Sequence, residues 1–216
     1  MAKLSPNSPI KFTGKLSNVV ASNWNGITVL KGAPNWHKKY KATPKQQLNQ
    51  GKFRFANSLV HRIFRELIDL TVQKETGQTR HSLIMRELLN NALIGPWPDS
   101  FMDYSKLRLA LGTLPPANAP EVKAVEGGTI EWEWKYNWRD YPRSSDYGKN
   151  HSMLIAFAED PGKLCYDVHG ARRQLAKTSL QTTFKKGEEV HTWISFRTGD
   201  FGMKADSVYT GKVKIK

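Results

Sequence analysis

Two glutamates in the middle of the chain are the first residues whose spacing could do chemistry. Glu131 and Glu133 lie in the segment TIEWEWKYNW, whose alternating pattern predicts a β-strand. Side chains two positions apart on a strand share a face at roughly 6–7 Å, a separation that suits the paired carboxylates of glycoside hydrolysis. The same alternation is more typical of the solvent-facing side of a half-buried strand, which is the interpretation that we favour.

The aromatic residues of this segment offer a second kind of chemistry, the stacking of sugar rings. The row consists of Trp132, Trp134, Tyr136 and Trp138. On an exposed face, such a row is one way in which a carbohydrate-binding module presents its aromatic side chains. In a β-sandwich the same residues would instead fill the core, where a buried tryptophan is common. We expect core packing, and carbohydrate binding is the third of three functional hypotheses.

No other set of residues has the spacing of an active site. The six histidines show no HExxH motif and no pair at positions i and i+4. The single cysteine, Cys165, permits no internal disulfide and no cysteine-built zinc site. The sequence also lacks GxSxG, P-loop and GxGxxG motifs. We therefore predict a protein that is not an enzyme, with no catalytic residues, no metal and no cofactor.

The charge of the chain is concentrated near its N-terminus. The 216 residues include 33 Lys and Arg against 19 Asp and Glu, a net charge of +14. Residues 1–65 contain no acidic residue and 12 of the cations, and the remaining 21 basic and 19 acidic residues leave only +2. An asymmetry of this kind indicates a polyanionic partner or an acidic facing surface.

The acid-free segment interleaves its cations with aromatic residues and amides, so it is the candidate binding surface. The candidate residues are Lys31, Trp36, Lys38, Lys39, Tyr40, Lys41, Lys45, Lys52, Arg54, Arg62 and Arg65. Ordering an extended arm costs about 1–2 kcal/mol per residue, which favours ordering against a partner. The leading hypothesis is a structural protein that self-associates through this arm, as a homo-oligomer or against a neighbouring structural protein. The alternative is sequence-independent binding of nucleic acid or another polyanion.

Local signals place this segment on a hairpin and a pair of helices. Asn25-Gly26 between apolar runs predicts a β-hairpin that pairs 19–24 with 27–31. Thr43 is a plausible N-cap and Pro44 a tolerated first residue for a helix over 43–74, for which Gly77 provides a stop. A second helix is predicted to begin at Thr79 or Ser82 and to end near Leu93, before Gly95-Pro96.

The sequence pattern of the second half of the chain is typical of an antiparallel β-sandwich. Six to eight short strands at near-regular spacing, bounded by Gly, Pro, Asn and Asp, are typical of the immunoglobulin or fibronectin type. The predicted fold class is therefore α+β, with an N-terminal β-hairpin and basic arm, a helical hairpin and a C-terminal sandwich. We predict two domains, residues 1–105 for the hairpin, arm and helical pair and residues 106–216 for the sandwich.

Several segments together resemble a known family. FTGKLSNVVASNWNGITVLKGAP is similar to the opening motif of a Bacteroidota family of unknown function, number 6266. Further matches are TPKQQLNQGKFRFA, IGPWPDSFMDYSKLRLALGTL, WEWKYNWRD, GARR and SVYTGKVKI. The chain departs from the family pattern at Leu16 and Ala21, where glycine is common, and at Lys31 and Gly32, where arginine is usual. The resemblance implies a Bacteroidota or bacteriophage origin without assigned catalytic residues, and, by analogy, a phage or phage-derived structural component.

Two sequence features bear on location. The chain contains no run of the roughly 18–20 apolar residues that span a membrane. Its first residues, MAKLSPNSPIKFTGK, lack the apolar core of a signal peptide. We therefore expect a soluble protein of the cytoplasm or of a virion, without a membrane partner.

Overall fold

The N-terminal part of the chain forms a small antiparallel sheet. The structure, a computed structural model, describes residues 2–3, 13–24, 27–33, 41–61, 65–141, 146–159 and 162–216. The strands of the sheet are β1 (Ala2–Lys3), β2 (Gly14–Leu16), β3 (Val19–Trp24) and β4 (Ile27–Gly32), in the order β1-β4-β3-β2.

The predicted hairpin is confirmed as the centre of this sheet, because β3 pairs with β4 from Val19 opposite Gly32 to Trp24 opposite Ile27. The turn residues 25–26 lie outside the described residues. The hairpin is not alone, since β1 and β2 extend it at its two edges. These two strands are three residues long or shorter, which is too short for a periodic pattern to predict.

Three α-helices follow the sheet in the described part of the chain. They are α1 (Pro44–Leu59), α2 (Arg65–Thr71) and α3 (Arg80–Glu87), and a π-helical turn (Leu88–Ala92) continues α3. The predicted N-cap of α1 is confirmed. Thr43 Oγ1 accepts the Gln46 N–H at 3.3 Å, and the Gln46 side chain accepts the Thr43 N–H at 2.8 Å. This capping box satisfies two backbone donors that a helix start leaves free.

Within the described residues, the sandwich has seven antiparallel strands in two sheets, preceded by a short ladder of β5 (Leu93–Ile94) with β6 (Phe101–Met102). Its strands are β7 (Asn118–Val125), β8 (Thr129–Lys135), β9 (His151–Ala158), β10 (Lys163–Asp167), β11 (Lys177–Gln181), β12 (Glu189–Arg197) and β13 (Val208–Lys214). One sheet has the order β11-β8-β7 and the other the order β10-β9-β12-β13. The chain passes from one sheet to the other after β8, β10 and β11, so neither sheet is formed by one continuous stretch of the chain.

One hydrophobic core lies between these two sheets. It combines Ile130 and Trp132 of β8 with Ile194 and Phe196 of β12, all of them fully buried. Two antiparallel sheets that share one core form a β-sandwich, so the predicted α+β class with an immunoglobulin/fibronectin-like sandwich is confirmed.

A second core joins the helices to the outer face of the sandwich sheet with the order β10-β9-β12-β13. Ile155 and Trp193 from that face pack with Leu67 of α2 and Ile84 of α3. The indole N–H of Trp193 donates to the carbonyl of Leu107 at 2.7 Å. β9 is consequently buried on both faces, which explains why its sequence is a continuous apolar run rather than an alternating one.

A charged clamp closes the edge of this second core. The Arg108 guanidinium donates to both carboxylate oxygens of Glu87 on α3, at 2.7 and 2.6 Å, and to Asp206 at 2.6 Å. Burial acts to raise the pKa of Glu87, but the hydrogen bonds from Arg108 and Asn91 outweigh it, and the pKa is lowered overall. The clamp therefore ties α3 to the segment between β12 and β13.

Candidate functional site

The structure places six of the predicted binding residues in its described part. Lys31 lies near the end of β4, Lys41 precedes the cap of α1, Lys45, Lys52 and Arg54 lie on α1, and Arg65 begins α2. All are exposed except Lys52, which is half-buried. The remaining predicted residues, Trp36, Lys38, Lys39, Tyr40 and Arg62, lie outside the described residues.

Helix α1 begins in solvent, and its second half, from Gly51 onward, packs against the rest of the protein. Every residue from 44 to 50 is exposed, and Ala56 is the only residue of the helix that is fully buried. Two apolar side chains share this exposure, Leu48 at 48% and Phe53 at 51%. An isolated helix of this length is marginal in water, so α1 depends on its cap and on its last turns.

One side of α1 forms a groove with Trp97, which lies between β5 and β6. The indole packs directly on Gly51, and its ring centroid lies 5.7 Å from that of Phe55. The groove has a volume of about 660 Å³, and Gln50 and Arg54 line it. Glycine in a helix costs about 1 kcal/mol relative to alanine, and here it allows the indole to approach the helix backbone.

A second groove adjoins the first around the helix. It has a volume of about 460 Å³ and is lined by Phe53, Asn49, Gln50 and Arg54. Gln50 and Arg54 thus belong to both grooves. The arrangement places a guanidinium and an amide between two aromatic side chains, Phe53 on one side and Trp97 on the other. We call this region, from Lys45 to Ser58 together with Trp97, the α1 surface.

Sequence reasoning missed Trp97 as a partner of Arg54. The residues around Trp97 are turn-rich and give no sign of a contact with the basic helix. The available signal was Gly51, because a glycine inside a helical pattern indicates the close approach of another group.

The cations of the α1 surface form no ion pair with any residue that the structure describes. Among the described residues, Lys45, Lys52 and Arg54 form no ion pair, and neither does Lys41 just before the helix. The first 65 residues contain no carboxylate side chain that could supply one. The surface therefore presents uncompensated positive charge together with aromatic rings and amides.

The paired glutamates of β8 have the opposite environment. Lys177 lies 3.1 Å from Glu131 and Lys123 lies 3.0 Å from Glu133, so each carboxylate is ion-paired across the strands. Hydrogen bonds from these lysines lower the pKa of both glutamates, those from Lys177 acting first on Glu131 and those from Lys123 first on Glu133. A general acid needs a raised pKa, so the interpretation as a polar strand face is supported and the pair is unsuited to glycoside hydrolysis.

The aromatic row of β8 does not form a platform for sugars. Trp132 and Trp134 are buried, and their indole N–H groups donate to Thr210 Oγ1 at 3.1 Å and to the Arg173 carbonyl at 2.8 Å. Trp138 is exposed but lies beyond the strand, in a short 3-10 turn. The carbohydrate hypothesis is therefore wrong, because the indoles of Trp132 and Trp134 fill the core and cannot stack on a ligand.

Arg172 and Arg173 differ in a way that the sequence did not indicate. Arg172 is exposed, whereas Arg173 has only 1% of its surface accessible. The Arg173 guanidinium donates to the carbonyls of Pro115 at 2.6 Å and Pro116 at 3.0 Å. It also stacks 3.7 Å from the centre of the Phe196 ring. Arg173 therefore has a structural role in the sandwich.

The remaining reactive residues do not assemble into a centre within the described part of the chain. Cys165 on β10 is a free thiol whose sulfur lies 3.4 Å from Thr183 Oγ1. No group of three or more His, Cys, Asp or Glu side chains among the described residues could hold a metal ion.

The fold and the site define an α+β protein with an immunoglobulin/fibronectin-like sandwich and an exposed basic helix. The sequence matches a family of unknown function, DUF6266, over residues 11–211, and the chain belongs to that family. It has no match among curated proteins. None of the helices in the described residues is long and apolar enough to cross a membrane.

Two solved structures illustrate the similarity to known folds. The fn3 domain of the human collagen alpha-1(XX) chain is 11% identical, with 47% of this chain and 87% of that chain covered and a TM-score of 0.32. The fn3 domain of human contactin 1 is 8% identical, with coverage of 49% and 82% and a TM-score of 0.30.

Proposed function

We propose that this protein is a non-enzymatic binding protein that holds nucleic acid through the α1 surface without reading its sequence. The observation behind the proposal is the set of exposed cations on and before α1 that have no acidic partner among the described residues. Lysine and arginine side chains that neutralise phosphates release counterions, and this release supplies most of the affinity of sequence-independent binding. Phe53 is exposed and Trp97 half-buried beside these cations, and aromatic rings beside cations are common where single strands are held.

Charge also argues against two copies of α1 as partners for each other. A symmetric contact places the same surface patch of each copy against the other. Lys45, Lys52 and Arg54 would then face cations, and like charges across an interface oppose association. The carboxylates of β8 cannot compensate, because Lys123 and Lys177 already pair with them.

The proposal is tested by size-exclusion chromatography with light scattering, run on purified protein before and after nuclease treatment, at low and at high salt. We expect protein that carries nucleic acid at low salt, loses it at high salt and elutes as a smaller species after nuclease treatment. Protein free of nucleic acid that also fails to bind added single strands and duplexes at low salt would contradict the proposal.

Self-association is the second candidate function. It is favoured by the exposure of Leu48 and Phe53 on a helix whose first half lies in solvent. A partner that covered these apolar side chains would remove their surface from water, which is favourable. A phage-derived structural component would be one protein of this kind. The same chromatography distinguishes this candidate, which requires a salt-stable oligomer free of nucleic acid.

A further inference from the structure

We infer that the α1 surface is selective for single-stranded nucleic acid, with one base stacked on Phe53, another on Trp97, and the intervening phosphate on Arg54. This inference rests on the proposed function and names the form of nucleic acid that the surface accepts. It depends on the aromatic side chains, whereas the proposed function depends on the charges. An experiment can therefore contradict the inference while the proposed function still holds.

The Trp97 side of the surface provides a fixed ring. Gly51 lies against the indole, and Phe55 supports it with ring planes tilted by 41°. The groove beside the ring, at about 660 Å³, lies within the range of about 300–1,000 Å³ that is usual for small-ligand pockets. A ring held by its neighbours loses little conformational entropy when a base stacks on it.

The Phe53 side provides a second ring without such support. Its side chain is 51% exposed and borders the groove of about 460 Å³ with Asn49. Stacking a base on this ring would remove apolar surface from water, which is favourable in proportion to the area covered.

Arg54 and Gln50 occupy the space between the two rings, since both line both grooves. A guanidinium matches the geometry of a phosphate with paired donors, and an amide can both donate to and accept from a base edge. No carboxylate among the residues lining either groove would repel the phosphate. The order ring, cation, ring follows the order base, phosphate, base of a nucleic-acid strand.

The single-stranded form follows from the need for free base faces. In a duplex each base stacks on its neighbours and its face is unavailable to a protein ring, whereas the bases of a single strand can be separated and stacked on aromatic side chains. Every base has such a face, so the selectivity concerns strandedness and leaves the sequence unread.

Fluorescence anisotropy with a labelled oligothymidylate and a labelled duplex of the same length tests the inference. Three variants remove or shift a ring without changing the charge: Phe53→Ala, Trp97→Ala and Gly51→Ala, the last because an added Cβ would overlap the indole. The matched control is Trp138→Ala, since Trp138 is 58% exposed and lies 5.5 Å from the Arg139 guanidinium, on another part of the molecule.

We expect the wild type to bind the single strand about tenfold more tightly than the duplex. Phe53→Ala, Trp97→Ala and Gly51→Ala should each weaken single-strand binding about fivefold or more and leave duplex binding unchanged, and Trp138→Ala should leave both unchanged. Equal binding of the two forms by the wild type, or no loss of single-strand binding in the three ring variants, would overturn the inference and leave the proposed function standing. Failure of both probes to bind at low salt would overturn both.

Discussion

Gly51 in the middle of α1 lies directly against the indole ring of Trp97, so that any side chain at position 51 would overlap the ring. This contact fixes the helix relative to the segment between β5 and β6. Because Arg54 follows one turn later, the contact also determines which aromatic ring the guanidinium neighbours. The glycine is thus used for close packing, at a cost in helix propensity.

The first prediction isolates this contact by a double-mutant cycle of Gly51→Ala and Trp97→Ala. Alone, Gly51→Ala should fail to stabilise the protein, because the indole must move. In the Trp97→Ala background the same change should stabilise by about 1 kcal/mol, the usual helical difference between the two residues. Denaturant unfolding provides the free energies. Equal stabilisation in both backgrounds would show that the ring does not touch the helix.

The features that sequence reasoning predicted correctly are the local ones. The hairpin was predicted from Asn25-Gly26, a pair that favours a tight turn between two strands, and the start of α1 from Thr43 with Gln46, three positions apart. The strands of the sandwich were visible from their turn residues and apolar runs. Each of these signals lies within a few residues of the element that it specifies.

The features that it missed depend on residues far apart in the chain. Trp97 meets Gly51 only because the folded core brings the β5–β6 segment to α1. The buried guanidinium of Arg173 donates hydrogen bonds to the carbonyls of Pro115 and Pro116. No sequence pattern around positions 172 and 173 distinguishes Arg173 from its exposed neighbour Arg172. Burial of a cation among carbonyls and aromatic rings contradicts the usual expectation for arginine, so only the tertiary structure identifies it.

The second prediction uses the contrast between these neighbouring arginines. Arg173→Met should destabilise the protein by roughly 2–4 kcal/mol, because it leaves the Pro115 and Pro116 carbonyls without their donors and removes the ring contact with Phe196. Arg172→Met, at the exposed neighbouring position, is the control and should have little effect. Thermal and denaturant unfolding measure both, and equal effects of the two variants would refute a structural role for Arg173.

The third prediction concerns the dependence of stability on pH. His191 is 9% exposed, its Nδ1 lies 2.9 Å from the Tyr209 hydroxyl, and its ring stacks on Tyr104 at 4.3 Å. Burial and then the charge of Lys212 lower the pKa of His191 below 6.5, against the opposing influence of Glu159 and Glu189. The folded state therefore binds fewer protons than the unfolded state below pH 6.5, and stability falls as the pH falls through that value.

The variant His191→Gln removes this titration and keeps a polar side chain beside Tyr209. The difference in unfolding free energy between the wild type and the variant should decrease as the pH is lowered from above 6.5. Denaturant unfolding at a series of pH values gives this difference directly. A difference that stays constant, or grows in acid, would mean that His191 is not destabilised by protonation in the folded protein.

The most direct test of nucleic-acid binding by the α1 surface is the salt dependence of single-strand affinity in two charge-matched variants. One carries Lys45→Gln, Lys52→Gln and Arg54→Gln, and the other carries Arg172→Gln, Lys185→Gln and Lys186→Gln at exposed positions of the sandwich. The first should weaken binding and reduce the slope of log affinity against log salt by about 2, since each lost phosphate contact removes about 0.7. The second should retain the wild-type slope. Equal losses in both would contradict a site on α1 and indicate attraction by net charge alone.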